Sequence, residues 1–214
     1  MQLQHGGKHI PTLHTSLRYI GLTCNSLHGK TTTLESSRDW MVTQLKDFDN
    51  YLYAIHTKSD SHRNASSTLI GSCGLRIQGD LEHLPSPLQT PHLVFSSHKR
   101  DSPTPPKPIS FRTLGYAFFE SAWGKGYATE TISALMTSFK SLQSSARERA
   151  KEEGKEEVWT FVKAEVDDEN PASHKVMNKL GFENMGKAVV EGGERIFLGG
   201  QWRDPVYWVY GKWV

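Results

Sequence analysis

The residues from Trp123 to Thr129 form a glycine-rich turn that could bind a phosphate group. They follow a short apolar run, Gly115–Glu120, that is typical of a buried strand, and they precede a helical pattern. A strand, a tight glycine turn and a helix N-terminus direct unpaired backbone N–H groups and the positive end of the helix dipole towards one point. Gly124 and Gly126 have no side chain that would keep an anion from the backbone. The turn therefore predicts a binding site for phosphate or pyrophosphate.

A second pattern further along the chain supports this interpretation. Asn170-Pro171 begins a helical stretch that contains Ser173 and ends at Leu180-Gly181-Phe182. The two patterns, in this order and spacing, resemble the acyl-CoA-binding core of the GNAT superfamily of N-acetyltransferases. The segments GYAFFE, WGKGYATE, NPAS and KLGF are most similar to the ribosomal-protein-alanine acetyltransferase branch. The resemblance extends more loosely from about Ser36 to the C-terminus.

The resemblance implies a fold and a co-substrate. The fold class is α/β (α+β): a mixed, mostly antiparallel twisted sheet with helices on both faces and a central parallel βαβ unit whose strands splay apart. The acyl donor is acetyl-CoA, whose pyrophosphate would bind the glycine turn and whose pantetheine arm would lie between the splayed strands. Asn170 has two interpretations, as a helix cap alone or as a cap that also contacts the coenzyme. The residues that the resemblance assigns to coenzyme binding are Phe118, Phe119, Trp123, Gly124, Lys125, Gly126, Tyr127, Ala128, Thr129 and Asn170.

The catalytic residues depart from the commonest arrangement of the family. That arrangement has a carboxylate two residues before the strand glycine and a tyrosine in the helix after Asn170, but this chain has Thr113 and Met177 at those positions. The remaining candidates are Glu120, as a base acting through water, and Ser173, as a proton donor to the leaving thiolate. Glu120 is equally compatible with a solvated strand-end acid, and Ser173 with an ordinary residue of a first helical turn.

The absence of the usual catalytic base limits which kind of amine can be the acceptor. An α-amine with a pKa near 7.8 is about one-fifth neutral near pH 7.2, whereas a lysine side chain with a pKa near 10.4 must lose its proton at a cost of about 4 kcal/mol. A site without the usual base is better suited to the α-amine, which loses its proton at the smaller free-energy cost. We therefore expect direct transfer of the acetyl group, in a ternary complex, to a primary amine of a protein N-terminus or small molecule.

Two rival functions are compatible with parts of the pattern. A dinucleotide-binding oxidoreductase needs G-x-G-x-x-G, and Thr129 occupies the position of the third glycine. A catalytically silent acyl-CoA-binding module is the stronger rival, because Thr113 and Met177 replace the usual catalytic residues. Turnover of acetyl-CoA with a panel of amines separates the enzyme from this module.

Composition limits the partners and the compartment. The net charge is +2, from 25 basic and 23 acidic residues, which does not indicate nucleic-acid binding. No apolar run approaches the roughly 18 residues of a membrane span, and the N-terminus lacks a signal-peptide core. Two cysteines, Cys24 and Cys73, fit a reducing compartment. We expect a cytoplasmic protein, with the nucleus as the alternative compartment, and no nucleic-acid or membrane partner; the sequence does not specify an oligomeric state.

The N-terminal region offers two weak motifs. Cys24 and His28 lack a second pair of ligands at zinc-finger spacing, so no metal site is predicted. Gly29-Lys30-Thr31 matches the end of a P-loop but lacks the first glycine of that motif. We expect residues 1–34 to form a poorly defined polar arm and residues 35–214 to form one acyltransferase domain, with a proline-rich loop insertion at residues 79–109.

The remaining elements must position the candidate site. A helix is predicted from Glu35 to Asp47, and the helix after the glycine turn is predicted to bury Ile132, Leu135, Met136, Phe139 and Leu142 and to stop at Gly154. Trp202 and Tyr207 are candidates to border the amine site. Further strands are predicted at Tyr51–Ile55, Leu69–Ile77, Val158–Val166, Lys187–Val190, Arg195–Leu198 and Asp204–Tyr210.

Overall fold

The computed structural model describes residues 2–5, 33, 35, 38–39, 42–43, 50–58, 67–78, 109–189, 195–198, 201–203 and 206–214. The proline-rich insertion up to residue 108 and the residues considered above for zinc and P-loop sites lie outside these ranges. The described residues of the predicted helix at 35–47 are helical; they are Glu35, Arg38, Asp39, Val42 and Thr43.

The chain divides into two compact units. Unit 1 comprises Met1–Ile77, Leu114–Met136 and Glu194–Asp204, and unit 2 comprises Gln78–Thr113, Thr137–Gly193 and Pro205–Val214. The strands are β1 Gln2–His5, β2 Tyr51–His56, β3 Leu69–Gln78, β4 Ile109–Phe118, β5 Trp159–Asp167, β6 Glu183–Val189, β7 Ile196–Leu198, β8 Gln201–Arg203 and β9 Val206–Trp213. The helices are a 3-10 helix at Glu120–Ala122, α1 at Tyr127–Glu152 and α2 at Pro171–Lys179.

The main sheet has seven strands in the order β1-β2-β3-β4-β5-β9-β6, and β7 and β8 form a separate hairpin. The pairs β1–β2, β2–β3, β5–β9 and β6–β9 are antiparallel. β4 and β5 are parallel, in a register that runs from Ile109 opposite Trp159 to Thr113 opposite Lys163. A helical crossover between two parallel strands is the βαβ unit that the sequence predicts. The predicted fold class is confirmed.

β4 differs from the strand predicted at Gly115–Glu120. It begins earlier, at Ile109, and ends at Phe118, so Glu120 lies beyond the strand as the first residue of the 3-10 helix. The prediction of a buried strand is wrong for Gly115, which is exposed, because side chains of this strand alternate between core and surface. The chain stays tied to β3 after β4 ends, since the N–H of Phe119 donates to the carbonyl of Ile70 at 2.9 Å.

β1 lies within the segment predicted to be a polar arm. Gln2–His5 pairs with β2 in an antiparallel register that sets Leu3 opposite Ile55. The composition of this stretch gives no strand signal, so the strand depends on the partner strand rather than on local propensity.

α1 buries a narrower face than the sequence predicts. Ile132, Leu135 and Phe139 are fully buried, but 48% of Leu142 is exposed, so the prediction is wrong for this residue. The next core-facing position is held by Gln143, whose Oε1 accepts a hydrogen bond from the Thr160 hydroxyl at 3.2 Å. The predicted stop is confirmed: α1 ends at Glu152, and Gly154 has a φ of +64°.

β5 forms the centre of unit 2. Phe161, Val162 and Ala164 are all buried, as expected for a strand that is covered on both faces. β9 approaches β5 closely at Gly211, where an added Cβ would lie 2.1 Å from the ring of Phe161. The sequence did not predict β8, which pairs with β7 through Phe197 opposite Trp202.

Candidate active site

The glycine turn of unit 1 has the backbone conformation that its sequence predicts. Gly124 and Gly126 have φ angles of +71° and +81°, which L-residues with a side chain rarely adopt. A Cβ at either position would meet no atom within 4 Å. The backbone of the turn is therefore open to a ligand, and glycine is required here by conformation rather than by crowding.

α1 begins without a side-chain cap. The first helical bond is donated by the N–H of Glu130 to the carbonyl of Gly126 at 3.1 Å, and glycine has no side chain that could accept from the first turn. Within the described part of the chain, the N–H groups of Tyr127, Ala128 and Thr129 have no hydrogen-bond acceptor. Three free donors therefore coincide with the positive end of a 26-residue helix.

The indole of Trp123 fastens the turn to β4. Its Nε1 donates to the carbonyl of Phe118 at 2.9 Å, although 51% of Trp123 is exposed. Phe118 is buried and Phe119 half-buried. Lys125, at the tip of the turn, is exposed and adds a positive charge.

Glu120 lies on the surface of unit 1. The residue is exposed, and its backbone carbonyl accepts from the N–H of Trp123 at 3.0 Å. Within the described residues its carboxylate has no ion pair. The solvated interpretation of Glu120 therefore fits the structure better than a desolvated base does.

α2 of unit 2 begins with the predicted cap. Asn170 Oδ1 accepts from the N–H of Ser173 at 3.1 Å, and Pro171 occupies the first turn. Gly181, just past the helix, has a φ of +67°. Ser173 is half-buried in the first turn. The capping role of Asn170 is confirmed, whereas its contact with a coenzyme stays a prediction.

The two positions that depart from the family pattern have structural roles. Met177 is fully buried, so it fills the core of unit 2 where a tyrosine was expected. Thr113 lies opposite Lys163 at the last paired position of β4 and β5. Neither position supplies a group that could carry a proton away from an amine.

An ion pair that the sequence did not predict lies in the middle of β5. Lys163 is only 2% exposed, and its Nζ lies 2.7 Å from Glu165 Oε1. Residues two apart in a strand share a face, so the pair lies on the same side of β5. The signal in the sequence was the alternation of Lys163, Glu165 and Asp167 inside an otherwise apolar strand.

Tyr207 of β9 lies on this same face. It is paired directly with Asp167 and is 9% exposed. Burial, followed by the negative charges of Glu165 and Asp167, raises the pKa of the Tyr207 phenol. The phenol therefore stays neutral and close to both carboxylates.

His174 connects the first turn of α2 to two strands. Its Nε2 lies 3.1 Å from the Asp167 carbonyl and its Nδ1 lies 2.8 Å from the Tyr210 hydroxyl. A carbonyl can only accept, so Nε2 carries the proton, and in the neutral ring Tyr210 donates to Nδ1. Burial raises the pKa of Tyr210. These contacts hold the start of α2 in place.

Other kinds of site find less support in the described residues. Burial raises the pKa of the Cys73 thiol to about 12, which makes it a poor nucleophile near neutral pH. No three His, Cys, Asp or Glu side chains of the described ranges come together as a metal site. No helix in those ranges is long and apolar enough to cross a membrane.

The groups at the start of α1 fit a diphosphate. Free backbone N–H donors, a helix dipole and an exposed Lys125 suit a dianion, and the absence of side chains at Gly124 and Gly126 lets the anion reach the backbone. The exposed Glu130 is the acidic residue of the first turn.

Solved structures of similar fold are acetyltransferases. A chimera of the spermidine N-acetyltransferase SpeG from Vibrio cholerae with hSSAT aligns with a TM-score of 0.56 at 14% identity, over 99% of this chain and 95% of its own. An acetyltransferase of the GNAT family from Streptococcus pneumoniae aligns with a TM-score of 0.56 at 13% identity, over 100% of this chain and 98% of its own. At these identities the likeness shows the fold. No curated protein matches the sequence.

Family membership is decided by the sequence itself. The family model for the acetyltransferase (GNAT) domain matches residues 16–183, which is most of the chain. The match favours the enzyme over the catalytically silent coenzyme-binding module. The protein belongs to the GNAT acetyltransferase family, and it is an N-acetyltransferase that moves an acetyl group to an amine.

Proposed function

We propose that the protein transfers the acetyl group of acetyl-CoA directly to a primary α-amine, either of a protein N-terminus or of a small molecule. The observation that carries this proposal is the uncapped start of α1, where Tyr127, Ala128 and Thr129 offer three free N–H donors beyond an open glycine turn. Such a constellation binds a diphosphate without any charged side chain. The pattern of the turn supports the ribosomal-protein-alanine branch as the subfamily.

In unit 1, the turn from Trp123 to Thr129 binds the pyrophosphate. The amides of the first turn of α1 donate to the phosphate oxygens, and Lys125 adds a screened electrostatic attraction. Trp123 holds the turn against the carbonyl of Phe118, and Phe118 and Phe119 border the coenzyme where β4 ends. In unit 2, the side-chain NH₂ of Asn170 is the group that would reach the coenzyme, because Oδ1 already caps α2.

Direct transfer is favoured over an acyl-enzyme. The cysteine of the described chain, Cys73, is buried and its pKa is raised to about 12, so it offers no thiolate for a covalent intermediate. In the direct reaction the neutral amine attacks the thioester carbonyl, the C–N bond forms and the C–S bond breaks. The amine loses a proton to a base, and the leaving thiolate gains one.

Glu165 is a better candidate for the base than Glu120. Its carboxylate is part-buried and fixed by the 2.7 Å contact with Lys163, whereas Glu120 is exposed. A base must sit at a defined distance from the amine, and a fixed carboxylate meets that requirement with less entropy loss than a solvated one. Ser173 remains the proposed proton donor to the thiolate, as one of the polar residues in the first turn of α2.

The identity of the acceptor amine is the most specific part of the proposal. The neighbouring SpeG structures are spermidine N-acetyltransferases, so a polyamine is the second acceptor class to test. We favour an α-amine because it reaches its neutral form near pH 7 at a smaller cost than a polyamine or a lysine side chain. The free thiol of Cys73 fits a reducing compartment, and we propose the cytoplasm.

One experiment tests the function. Coenzyme binding is measured by calorimetry, and acetyl-CoA turnover is measured with alaninamide, an N-terminal peptide, spermidine and a lysine derivative blocked at its α-amine. We expect coenzyme binding, and turnover that is fastest with the two α-amines. Activity on the lysine side chain alone would refute the choice of acceptor, and no coenzyme uptake by folded protein would refute the function.

The same assay assigns the base. Glu165→Gln should lower kcat roughly a hundredfold, in the range typical of a lost general base, and leave the KM for acetyl-CoA unchanged. Glu120→Gln is the matched control and should change kcat less than about twofold, in line with a surface substitution. A large loss of kcat in Glu120→Gln together with a small loss in Glu165→Gln would instead identify Glu120 as the general base.

A further inference from the structure

Lys163 and Glu165 are charged residues in the middle of β5 in unit 2. Their side chains lie on the same face of the strand because the two residues are two positions apart. Lys163 Nζ donates a hydrogen bond to Glu165 Oε1 at 2.7 Å. The two side chains differ in burial, since that of Lys163 is 2% exposed and that of Glu165 is 24% exposed. The lysine is therefore enclosed by protein, whereas the carboxylate reaches solvent.

The two oxygens of the Glu165 carboxylate have different surroundings. Oε1 is held by Lys163, whereas Oε2 has no hydrogen bond to any residue in the described part of the chain. Each oxygen of an ionised carboxylate can accept about two hydrogen bonds, so Oε2 keeps its capacity to accept. The ion pair therefore fixes the carboxylate by one oxygen and leaves the other oxygen available for a proton.

The residues directly opposite this ion pair are uncharged. Lys163 lies between Thr113 of β4 and Gly211 of β9, and Glu165 lies opposite Val209 of β9. Val209 is fully buried. Such surroundings strengthen an interaction between charges, because little water is present to screen it. Among the described residues at these paired positions, the cation that acts on Glu165 is Lys163.

The other ionisable groups on this face are Asp167 and Tyr207, which lie opposite each other. Burial, followed by the negative charges of Glu165 and Asp167, raises the pKa of the Tyr207 phenol, so this group stays neutral. The carboxylate of Asp167 has the same charge as Glu165 and favours its protonation, whereas Lys163 favours its ionised form. Because Lys163 Nζ is in direct contact at 2.7 Å and Coulomb interactions weaken with distance, the lysine has the stronger influence.

We propose that Lys163 is a positioning residue for acetyl transfer, which keeps Glu165 ionised, presents Oε2 to the acceptor amine and thereby sets the lower pH limit of the reaction. The inference rests on the proposed function and deepens it, since it assigns the oxygen that accepts the proton and the residue that controls this oxygen. Lys163 is enclosed, so it acts through Glu165 rather than on the substrate.

The ion pair also accounts for the return of the base to its starting state. As the C–N bond forms, the amine proton moves to Oε2 of Glu165, and the carboxyl group becomes neutral. The enclosed ammonium of Lys163 then lacks its counter-charge, which is unfavourable in a buried position. Lys163 therefore favours release of the proton, and the partial exposure of Glu165 lets solvent take it. The carboxylate is regenerated for the next turnover.

The first test follows the Glu165 carboxyl group directly and needs no turnover. Carboxyl-carbon NMR spectra are recorded as a function of pH, and the Glu165 signal is identified by its absence from Glu165→Gln. In Lys163→Met the midpoint of the Glu165 titration should lie about one to two pH units higher than in the wild type. Lys163→Arg keeps the charge and should restore most of the difference. An unchanged midpoint in Lys163→Met would overturn the proposal.

Lys163→Met should remain folded. Methionine has an apolar side chain of similar length, so it suits the enclosed position, and Glu165 is exposed enough to be solvated when its partner is lost. Lys163→Arg provides a second folded protein in which the charge is present but the shape of the donor differs.

The second test is the pH dependence of kcat with alaninamide at saturating acetyl-CoA. The acid limb of the profile should move to higher pH in Lys163→Met, in parallel with the NMR midpoint, so kcat within this limb should fall about tenfold or more. The KM for acetyl-CoA should not change. A lower melting temperature with an unchanged acid limb would show that Lys163 is only structural, and it would overturn the proposal.

Lys212→Met is the matched control. Lys212 lies opposite Val162 and on the other face of β9, where its Nζ donates to the Leu180 carbonyl at 2.6 Å. Its loss should lower the melting temperature without moving the Glu165 titration or the acid limb. Shifts as large as those of Lys163→Met would contradict the assignment to Lys163.

The outcomes for this inference and for the proposed function can be distinguished. No coenzyme uptake by the folded protein refutes the proposed function, and the inference falls with it. Coenzyme binding and turnover together with the same Glu165 titration in the wild type and Lys163→Met refute only the role of Lys163. Full activity of Glu165→Gln would also overturn the inference and leave the acetyl transfer itself in place.

Discussion

The two helices that follow the parallel strands begin in opposite ways. α1 starts after Gly126, which cannot cap, and leaves the N–H groups of three successive residues without an acceptor in the described part of unit 1. α2 starts after Asn170, whose side chain accepts from Ser173, and Pro171 has no N–H to satisfy. The first helix is open at its N-terminus, and the second is closed by its own sequence.

The difference shows that the N-terminus of a helix can either be left open for a ligand or be capped for stability. Free first-turn donors cost stability unless water or a ligand satisfies them, so a helix that is only structural is better capped, as α2 is. At the start of α1, Gly124 and Gly126 leave the backbone open, and a diphosphate would supply the missing acceptors. The three predictions that follow compare these two helix starts.

The largest effect is expected at Gly126. Gly126→Ala places a side chain at a φ of +81°, which costs about 1–2 kcal/mol, and the turn is expected to relax and move the donors of α1. Coenzyme affinity should fall roughly ten- to thirtyfold by calorimetry. Gly181→Ala is the matched control, because Gly181 has a similar φ of +67° at the end of α2 and its Cβ would make only an ordinary 3.7 Å contact with Lys212. Equal affinity losses in both variants would contradict the assignment of the anion site to α1.

Two substitutions of Asn170 distinguish its role as a helix cap from a direct contact with the coenzyme. Asn170→Ala should destabilise the protein by about 1 kcal/mol, seen as a melting temperature lower by about 2–4 °C. Asn170→Asp keeps the acceptor and should restore most of the stability. Asp has no NH₂, so a coenzyme affinity that stays low in Asn170→Asp would assign the second role to Asn170. An affinity equal to the wild type would leave it as a cap alone.

Lys125 is expected to have the smallest effect. Lys125→Ala removes an exposed charge from the turn, and such charges contribute only about 0.2–1 kcal/mol. Coenzyme affinity should fall about two- to fivefold at low ionic strength and approach the wild-type value at high salt, where the Debye length is about 3 Å at 1 M. A salt-independent loss would mean that Lys125 makes a fixed contact with the ligand instead.

The features that depend on neighbouring residues could be predicted from the sequence. The turn glycines, the Asn170 cap, Pro171 and the stop at Gly154 each follow from the conformational preferences of one or two residues. The parallel pairing of β4 with β5 followed from the helix between them, since such crossovers almost always join parallel strands. Errors occurred where burial depends on distant packing, as at Leu142.

The candidate site was only half predictable for the same reason. The glycine turn of unit 1, proposed to bind the coenzyme, consists of consecutive residues, Trp123 to Thr129, so the sequence alone identifies it. In unit 2, by contrast, Tyr207 on β9 lies opposite Asp167 on β5, and these residues are distant in the sequence. A shift of one residue in the register would turn Tyr207 to the other face, and no local propensity fixes that register.

The sequence alone determined the family, the glycine turn and the start and end of α2, because these depend on local backbone conformation. The tertiary structure decided that Met177 belongs to the core, that Glu120 is exposed and that Lys163 holds Glu165. It also set Tyr207 beside Asp167. Burial and strand register are properties of the whole sheet, so they arise only when distant segments pack together.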